Sequence, residues 1–204
     1  PDNEREAFAM AAIRLGRQGT TLVFVPQAQH VESSADDIRE VLEMEALLDR
    51  AAALPPQWSF VAADPSWEKA RATVSEELGV NSDLLSFLAQ GIVVHHSDLP
   101  TRVRLAFETL IRTGEAPLIV ATTTLASGVN LPIRSVLVRG LQQGRTRQVS
   151  ALDFWNIAGR AGRALFENEG QVLFWVDQTK PDWQVRKKER DISTLIGGGR
   201  SEIL

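Results

Sequence analysis

Two arginines three residues apart, Arg160 and Arg163, lie in the stretch NIAGRAGR at 156–163, each preceded by a glycine. On a helix that spacing turns both guanidiniums to one face, where they form a clamp for a multiply charged phosphate. Gly159 and Gly162 remove bulk and let a backbone or a nucleotide approach closely. A second polar set, ATTTLASGVNLP at 121–132, directly follows an apolar run. The hydroxyls of Thr122, Thr123 and Thr124 offer donors to phosphate or sugar oxygens, and Asn130 adds an amide able to pair with a ribose hydroxyl. Either set alone also describes an ordinary helix end or a strand-to-helix connection. A third set, GIVVHHSDLP at 91–100, holds His95, His96 and Asp98 and raises the question of a metal. Adjacent histidines on a strand point to opposite faces, and no third ligand is fixed by spacing, so no metal site is expected. Ser97 or Asp98 is expected instead to cap the helix that starts at Pro100.

These groups need a scaffold, and the chain alternates strand and helix patterns along most of its length. TTLVFV (20–25), GIVVHH (91–96), PLIVAT (117–122), SVLVRG (135–140) and GQVLFWV (170–176) read as strands. They lack clean alternation, as expected of strands buried on both faces of a parallel sheet. Helical spacing runs from about Asp36 to Ala53, ended by Pro55-Pro56, and again over 66–78 with Ser66 as N-cap and Gly79 as stop. Further helices are read at 83–90, at 100–113 closed by Gly114, and at 151–163. The pattern is that of an α/β fold: a doubly wound, mainly parallel sheet with helices on both faces and sites at the strand C-termini. Residues 1–19 read as a helix leading in, 20–179 as the domain, and 180–204 as a polar extension leaving it towards a further domain. Between 135 and 150 a hairpin is expected, with arms at 135–141 and 146–150 and a turn at Gln143-Gly144. It would carry Arg145 and Arg147 near its tip, suited to backbone contact.

LVFVP (22–26), GIVVHHSDLP (91–100), ATTTLASGVNLP (121–132) and NIAGRAGR (156–163) occur in the order and spacing of motifs IV, IVa, V and VI of superfamily 2 helicases. The chain resembles the second, C-terminal RecA-like domain of that superfamily, over about residues 20–177. The His95-His96 pair and TLASGVNLP are similar to the DExH branch that includes exosome-associated RNA helicases and DNA-repair helicases. The resemblance implies that Arg163 is the arginine finger for the γ-phosphate of ATP and Arg160 its companion. It implies that Gly128 lies beside the γ-phosphate, that Asn130 contacts the ribose, and that Thr122 meets the nucleic-acid backbone, with Thr123 next to it. Ser97 and Asp98 fall where the family lines its nucleic-acid path. Asn156 stands where relatives usually have Gln or His, one methylene longer, at a nucleotide-binding position.

The chain has no GxxxxGK[ST] phosphate loop, since GRQGTT at 16–21 lacks the lysine and the spacing, and no DExH tetrapeptide. It therefore carries half of an ATPase site. ATP and Mg²⁺ are expected in a full-length protein, with the magnesium ligands on a first RecA-like domain, and this chain alone is expected to bind neither tightly and to be inactive. The composition agrees with a globular domain: 204 residues, 44% hydrophobic, 24% charged, and no cysteine for disulfides or thiolate chemistry. The net charge of −4 excludes a uniformly basic coat, yet residues 1–90 hold 7 basic and 15 acidic side chains while 134–163 hold six arginines and one acid, Asp153. That stripe suits RNA or DNA phosphates. The polar N-terminus is no secretory signal and the uncharged run 116–133 is broken by Pro and Gly, so a cytoplasmic protein without a membrane span is expected. Two other readings compete. One is a non-catalytic RecA-like module that binds nucleic acid or a protein. The other is a metal hydrolase built on His95, His96 and Asp98.

Overall fold

The structure is a computed structural model that describes residues 3–52, 58–126, 131–144, 147–159, 161 and 170–198. In chain order the elements are α1 (Glu4–Gly16), β1 (Thr21–Phe24), α2 (Val31–Ala51), α3 (Ser66–Leu78), α4 (Asp83–Ala89), β2 (Ile92–His95) and α5 (Thr101–Thr113). There follow β3 (Leu118–Ala121), β4 (Ser135–Val138), α6 (Ala151–Ala158), β5 (Gln171–Phe174) and α7 (Asp182–Gly198). Short 3₁₀ turns at Ala28–His30 and Thr123–Ala126 follow β1 and β3.

The five strands form one sheet in the order β2-β3-β1-β4-β5, and all four pairings are parallel. The chain goes from β1 to β2 at one edge and from β4 to β5 at the other, so the strand order reverses between the neighbours β1 and β4. The first four strands are buried at every position, because helices cover them. β5 is an edge strand with Gln171 exposed and its other residues half-buried, so the expectation of burial on both faces fails there.

Helix boundaries follow the side chains that satisfy the free backbone ends. α2 starts five residues before the predicted Asp36, because Val31, Ala35, Ile38 and Leu42 already form a buried stripe. Its Ser34 hydroxyl turns back to the His30 carbonyl at 2.5 Å, which lets two serines sit inside a first turn that reads as linker. Pro55-Pro56 lie outside the described residues. α3 has the predicted bounds, but Ser66 is not its cap. The Asp64 carboxylate accepts the Ser66 backbone N–H at 2.8 Å, and α3 has no side-chain cap from Ser66. α5 is not capped by Ser97 or Asp98 either: it has no side-chain cap, and Ser97 donates to the Asp98 carboxylate at 2.9 Å. At its other end Gly114 takes φ +76°, a left-handed conformation that favours glycine.

α6 ends at Ala158, five residues short of the predicted Arg163. Gly159 closes the last turn, and Ala161 forms a parallel bridge to Ile133. Arg160 and Arg163, expected on one face of that helix, lie outside the described residues. The hairpin is present as a single antiparallel bridge, Gln142 to Gln148. The Gln143 N–H donates to the Arg147 carbonyl at 2.7 Å and the Val149 N–H to the Leu141 carbonyl at 2.8 Å.

The polar segment after 180 does not stand off from the domain. Its helix α7 lays Ile192 and Leu195 against the core, and Lys188 donates to the Arg139 carbonyl at 3.2 Å. At the other terminus α1 buries Phe8, Ala9, Ala12 and Ile13 completely. No helix among the described residues is long and apolar enough to cross a membrane.

Candidate functional site

Four of the polar residues singled out in the sequence, Ser97, Asp98, Thr122 and Thr123, lie just beyond the C-terminal ends of β2 and β3. β2 ends at His95, and Ser97 and Asp98 stand exposed just beyond it. β3 ends at Ala121, and the Thr122 N–H donates to the His95 carbonyl at 3.2 Å, so the two strand ends are tied together. Thr122 is only 6% exposed, Thr123 is half-buried, and Thr124 is exposed. The Thr122 hydroxyl lies 3.0 Å from that of Thr124, which in turn lies 3.3 Å from His95 Nδ1.

Both histidines are held by carboxylates on helices. His95 Nε2 is 3.1 Å from Glu108 on α5, and His96 Nε2 is 3.1 Å from Glu32 on α2. Burial holds the His95 pKa below its ordinary value, against the pull of Glu108. Each imidazole thus serves a separate partner, and no group of three metal-ligating side chains occurs among the described residues.

The threonine turn and the arginine motif meet in space. The 3₁₀ turn Thr123–Ala126 packs on α6, and the far end of the same connection, Ile133, bridges Ala161 beyond the end of α6. Asn156 is exposed on α6. The Ser150 hydroxyl accepts the Asp153 N–H at 3.0 Å and so fixes where that helix starts. Gly128, Asn130, Arg145, Arg160 and Arg163 lie outside the described residues.

The arginine stripe is not one surface. Arg134 precedes β4 and donates to the Gln18 carbonyl at 2.8 Å. Arg139 follows β4, at the other end of the sheet. It donates to Ser34 Oγ at 2.6 Å and Asp37 Oδ2 at 3.1 Å, with its guanidinium 4.6 Å from the centre of the Phe8 ring. Five residues of extended chain separate the two by roughly 17 Å, and both are spent on internal acceptors. Of the described arginines in the stripe, Arg147 alone is exposed, on the hairpin. The hairpin borders a cavity of about 590 Å³ between the ends of β1 and β4 and α7, lined in part by Gln27, Gln142, Trp183 and Lys187.

Sequence reasoning missed Glu108, Glu32 and Thr124 as partners of the histidine pair. Glu32 and His96 are 64 positions apart, a pairing that only the sheet order creates. Glu108 stands on the helix directly after the histidines, and that placement was the available signal.

The five-stranded parallel sheet with helices around it is that of a RecA-like α/β domain. Residues 70–165 match the helicase conserved C-terminal domain. The chain is 35% identical over 185 residues to the Hachiman protein HamB of Bacillus cereus, covering 91% of this chain and 16% of that protein. It is 30% identical over 209 residues to the ATP-dependent DNA helicase Hel308 of Pyrobaculum calidifontis, covering 100% of this chain and 27% of that one. It is 38% identical over 103 residues to the DExH-box ATP-dependent RNA helicase DExH12 of Arabidopsis thaliana, covering 48% of this chain and 5% of that one. The chain belongs to the C-terminal RecA-like domains of superfamily 2 helicases. It spans between 5% and 27% of the length of these relatives.

Proposed function

We propose that this chain is the C-terminal motor domain of an ATP-dependent nucleic-acid helicase, and that it works against a first RecA-like domain of the same polypeptide. The single observation that carries the reading is the packing of the Thr123–Ala126 turn on α6, together with the Ile133–Ala161 bridge. That contact supports the reading, since it joins the segment assigned to nucleic acid to the segment assigned to nucleotide. Relatives that carry ATP-dependent helicase in their names support the same reading.

The donor set fits part of a nucleotide site. Asn156, Asn130 and Gly128 suit the sugar and phosphate side, and Arg160 and Arg163 suit the γ-phosphate. Magnesium is assigned to the carboxylates of the first domain, as in the superfamily that the chain resembles. ATP with Mg²⁺ supplies the free energy of the cycle. Arg163 stabilises charge developing on the transferred phosphoryl group, and Arg160 holds the same group in place. On the other side, Ser97, Asp98, Thr122 and Thr123 line the path of an RNA or DNA backbone, and Arg145 and Arg147 touch phosphates from the hairpin.

The test is Arg163→Ala in the full-length protein. Turnover of ATP should fall by roughly 10³–10⁵, while the thermal midpoint stays in place because an arginine directed at another domain has little to lose on truncation. Unchanged turnover would leave the non-catalytic module as the better reading.

A further inference from the structure

None of the described residues assigned to nucleotide or nucleic acid lines the cavity between the ends of β1 and β4 and α7. The cavity lies where the strand order reverses, and in open parallel sheets ligands bind in the crevice outside the carboxyl ends of the strands at that point. Its volume of about 590 Å³ is in the range of small-molecule sites. Its walls are tied to one another. Gln27 Nε2, after β1, donates to the Gln142 carbonyl on the hairpin at 3.0 Å. Gln148 Nε2, on the other arm, donates to the Asp191 carboxylate on α7 at 3.1 Å. Lys188 on α7 donates to the Arg139 carbonyl at the end of β4 at 3.2 Å. The space is thus built into the framework of the fold.

Two side chains four residues apart on one face of α7 define what fits. Trp183 is 66% exposed, the most exposed aromatic ring among the described residues. Lys187 stands exposed one turn on, at the same cavity. Lys188 adds an ammonium with three donors, of which one goes to the Arg139 carbonyl. Burial holds the Lys188 pKa below its ordinary value, against the pull of Glu4 and Asp177 and with a further push from Arg139. An anion brought to this ammonium is therefore favoured. The acid in the wall, Asp191, is engaged by Gln148. An open indole face with ammonium groups one turn away suits a flat aromatic ring that carries a phosphate. We infer that the cavity takes one nucleotide unit, with its base stacked on Trp183 and its phosphate at Lys187.

Such a unit has two sources, an unpaired nucleotide of a strand or a free nucleotide. The sheet edge favours the strand. Neighbouring strands lie about 4.8 Å apart, so the gap between β1 and β4 is roughly 10 Å from the gap between β2 and β3, where Thr122 stands. A strand crossing at Thr122 passes over the end of β1 and reaches the cavity beside the hairpin. Turning a base out of a single strand costs less than turning it out of a duplex. In this form the inference rests on the proposed placement of a nucleic-acid backbone at Thr122; a free nucleotide does not need it.

The experiment follows tryptophan fluorescence of the full-length protein during titration with oligo-dT and, separately, with dTMP. A stacked base quenches Trp183, so part of the wild-type quench should vanish in Trp183→Phe, whose ring keeps most of the affinity. Trp183→Leu should weaken binding by about 5- to 150-fold. Trp183 stands in solvent, so neither change threatens the fold. Lys187→Gln should weaken oligo-dT binding and reduce its salt slope by about 0.7, the share of one phosphate, and Lys187→Arg should restore both. Quenching of Trp183 by oligo-dT alone assigns the cavity to a strand, and quenching by dTMP assigns it to a free nucleotide. Equal quenching in wild type and Trp183→Phe overturns the inference, as does unchanged affinity for both ligands in Trp183→Leu. A Trp183 that neither ligand quenches, the result expected if another part of the polypeptide fills the cavity, overturns it too. Turnover of ATP in Arg163→Ala is measured independently, so the helicase reading stands or falls apart from these outcomes. Quenching by dTMP in a protein that does not bind oligo-dT supports the cavity and counts against the nucleic-acid reading.

Discussion

At the residue scale the arginines divide by what they touch. Arg139 reads in the sequence as one of six cations available to phosphate. In the fold it faces inward, to Ser34, Asp37 and the Phe8 ring. Nothing local marks this, because its partners come from α1 and α2, about a hundred residues earlier. Arg139→Ala should destabilise the domain by about 1–3 kcal/mol, through a lost charge-assisted hydrogen bond and an Asp37 left in a half-closed site. Denaturant unfolding measures this, and a midpoint within error of wild type would contradict the assignment. Arg147→Ala, at an exposed hairpin position, should leave stability unchanged and weaken nucleic-acid binding uniformly across sequences. A sequence-dependent loss would instead make Arg147 a reader of bases. The motif threonines were legible from type and position. Their contact with His95 was not, since it depends on β2 and β3 lying side by side in the sheet.

At the element scale the strands were the most legible feature. Short apolar runs rich in Val, Ile and Leu, each ended by a polar or glycine-containing stretch, have few other solutions. Helix ends were less legible. Asp64 rather than Ser66 holds the start of α3, because the choice between two neighbouring cap formers is made by the approach of the preceding chain. α6 stops at Ala158 because Ala161 is drawn to Ile133, a contact with no local signature. Its start is firmer: the Ser150 hydroxyl both accepts the Asp153 N–H and lies 2.8 Å from the Asp153 carboxylate. Ser150→Ala should cost about 1 kcal/mol. Because α6 carries Asn156 and leads to Arg160, the same change should raise the KM for ATP of the full-length protein more than it lowers its thermal midpoint. An unchanged KM would mean that the start of α6 does not govern the nucleotide-facing segment.

At the scale of the whole molecule, pH acts through His95. The folded chain holds this imidazole neutral below the pH at which a free one would protonate. The unfolded chain therefore binds more protons, and stability rises with pH through this window. The contribution is complete above about pH 6.5 and is lost progressively as pH falls below it. Thermal midpoints measured down to about pH 5 should decline more steeply in wild type than in His95→Gln; parallel curves would contradict the burial argument. The isolated chain should also fold without hydrolysing ATP, since it has neither a phosphate loop nor a magnesium-binding carboxylate cluster among its described residues. Magnesium-dependent turnover by the purified chain would reveal a complete active site within it. The fold class was legible in full because the β-α alternation spans the chain. The sheet order was not, because it is set by which strand lies between which.

That order has a consequence during synthesis. β1 is the middle strand, yet its neighbours are β3 and β4, so Thr21 pairs with Leu118 and with Ser135. At the ribosome the first of these partners is made roughly a hundred residues after β1, which at ordinary translation rates is a delay of about 5–20 s. Throughout that interval TLVF leaves the tunnel as an apolar strand with both edges open, exposed to other nascent chains and to chaperones. Any chain released before about residue 121 has no sheet to join, because β2 touches β1 only through β3.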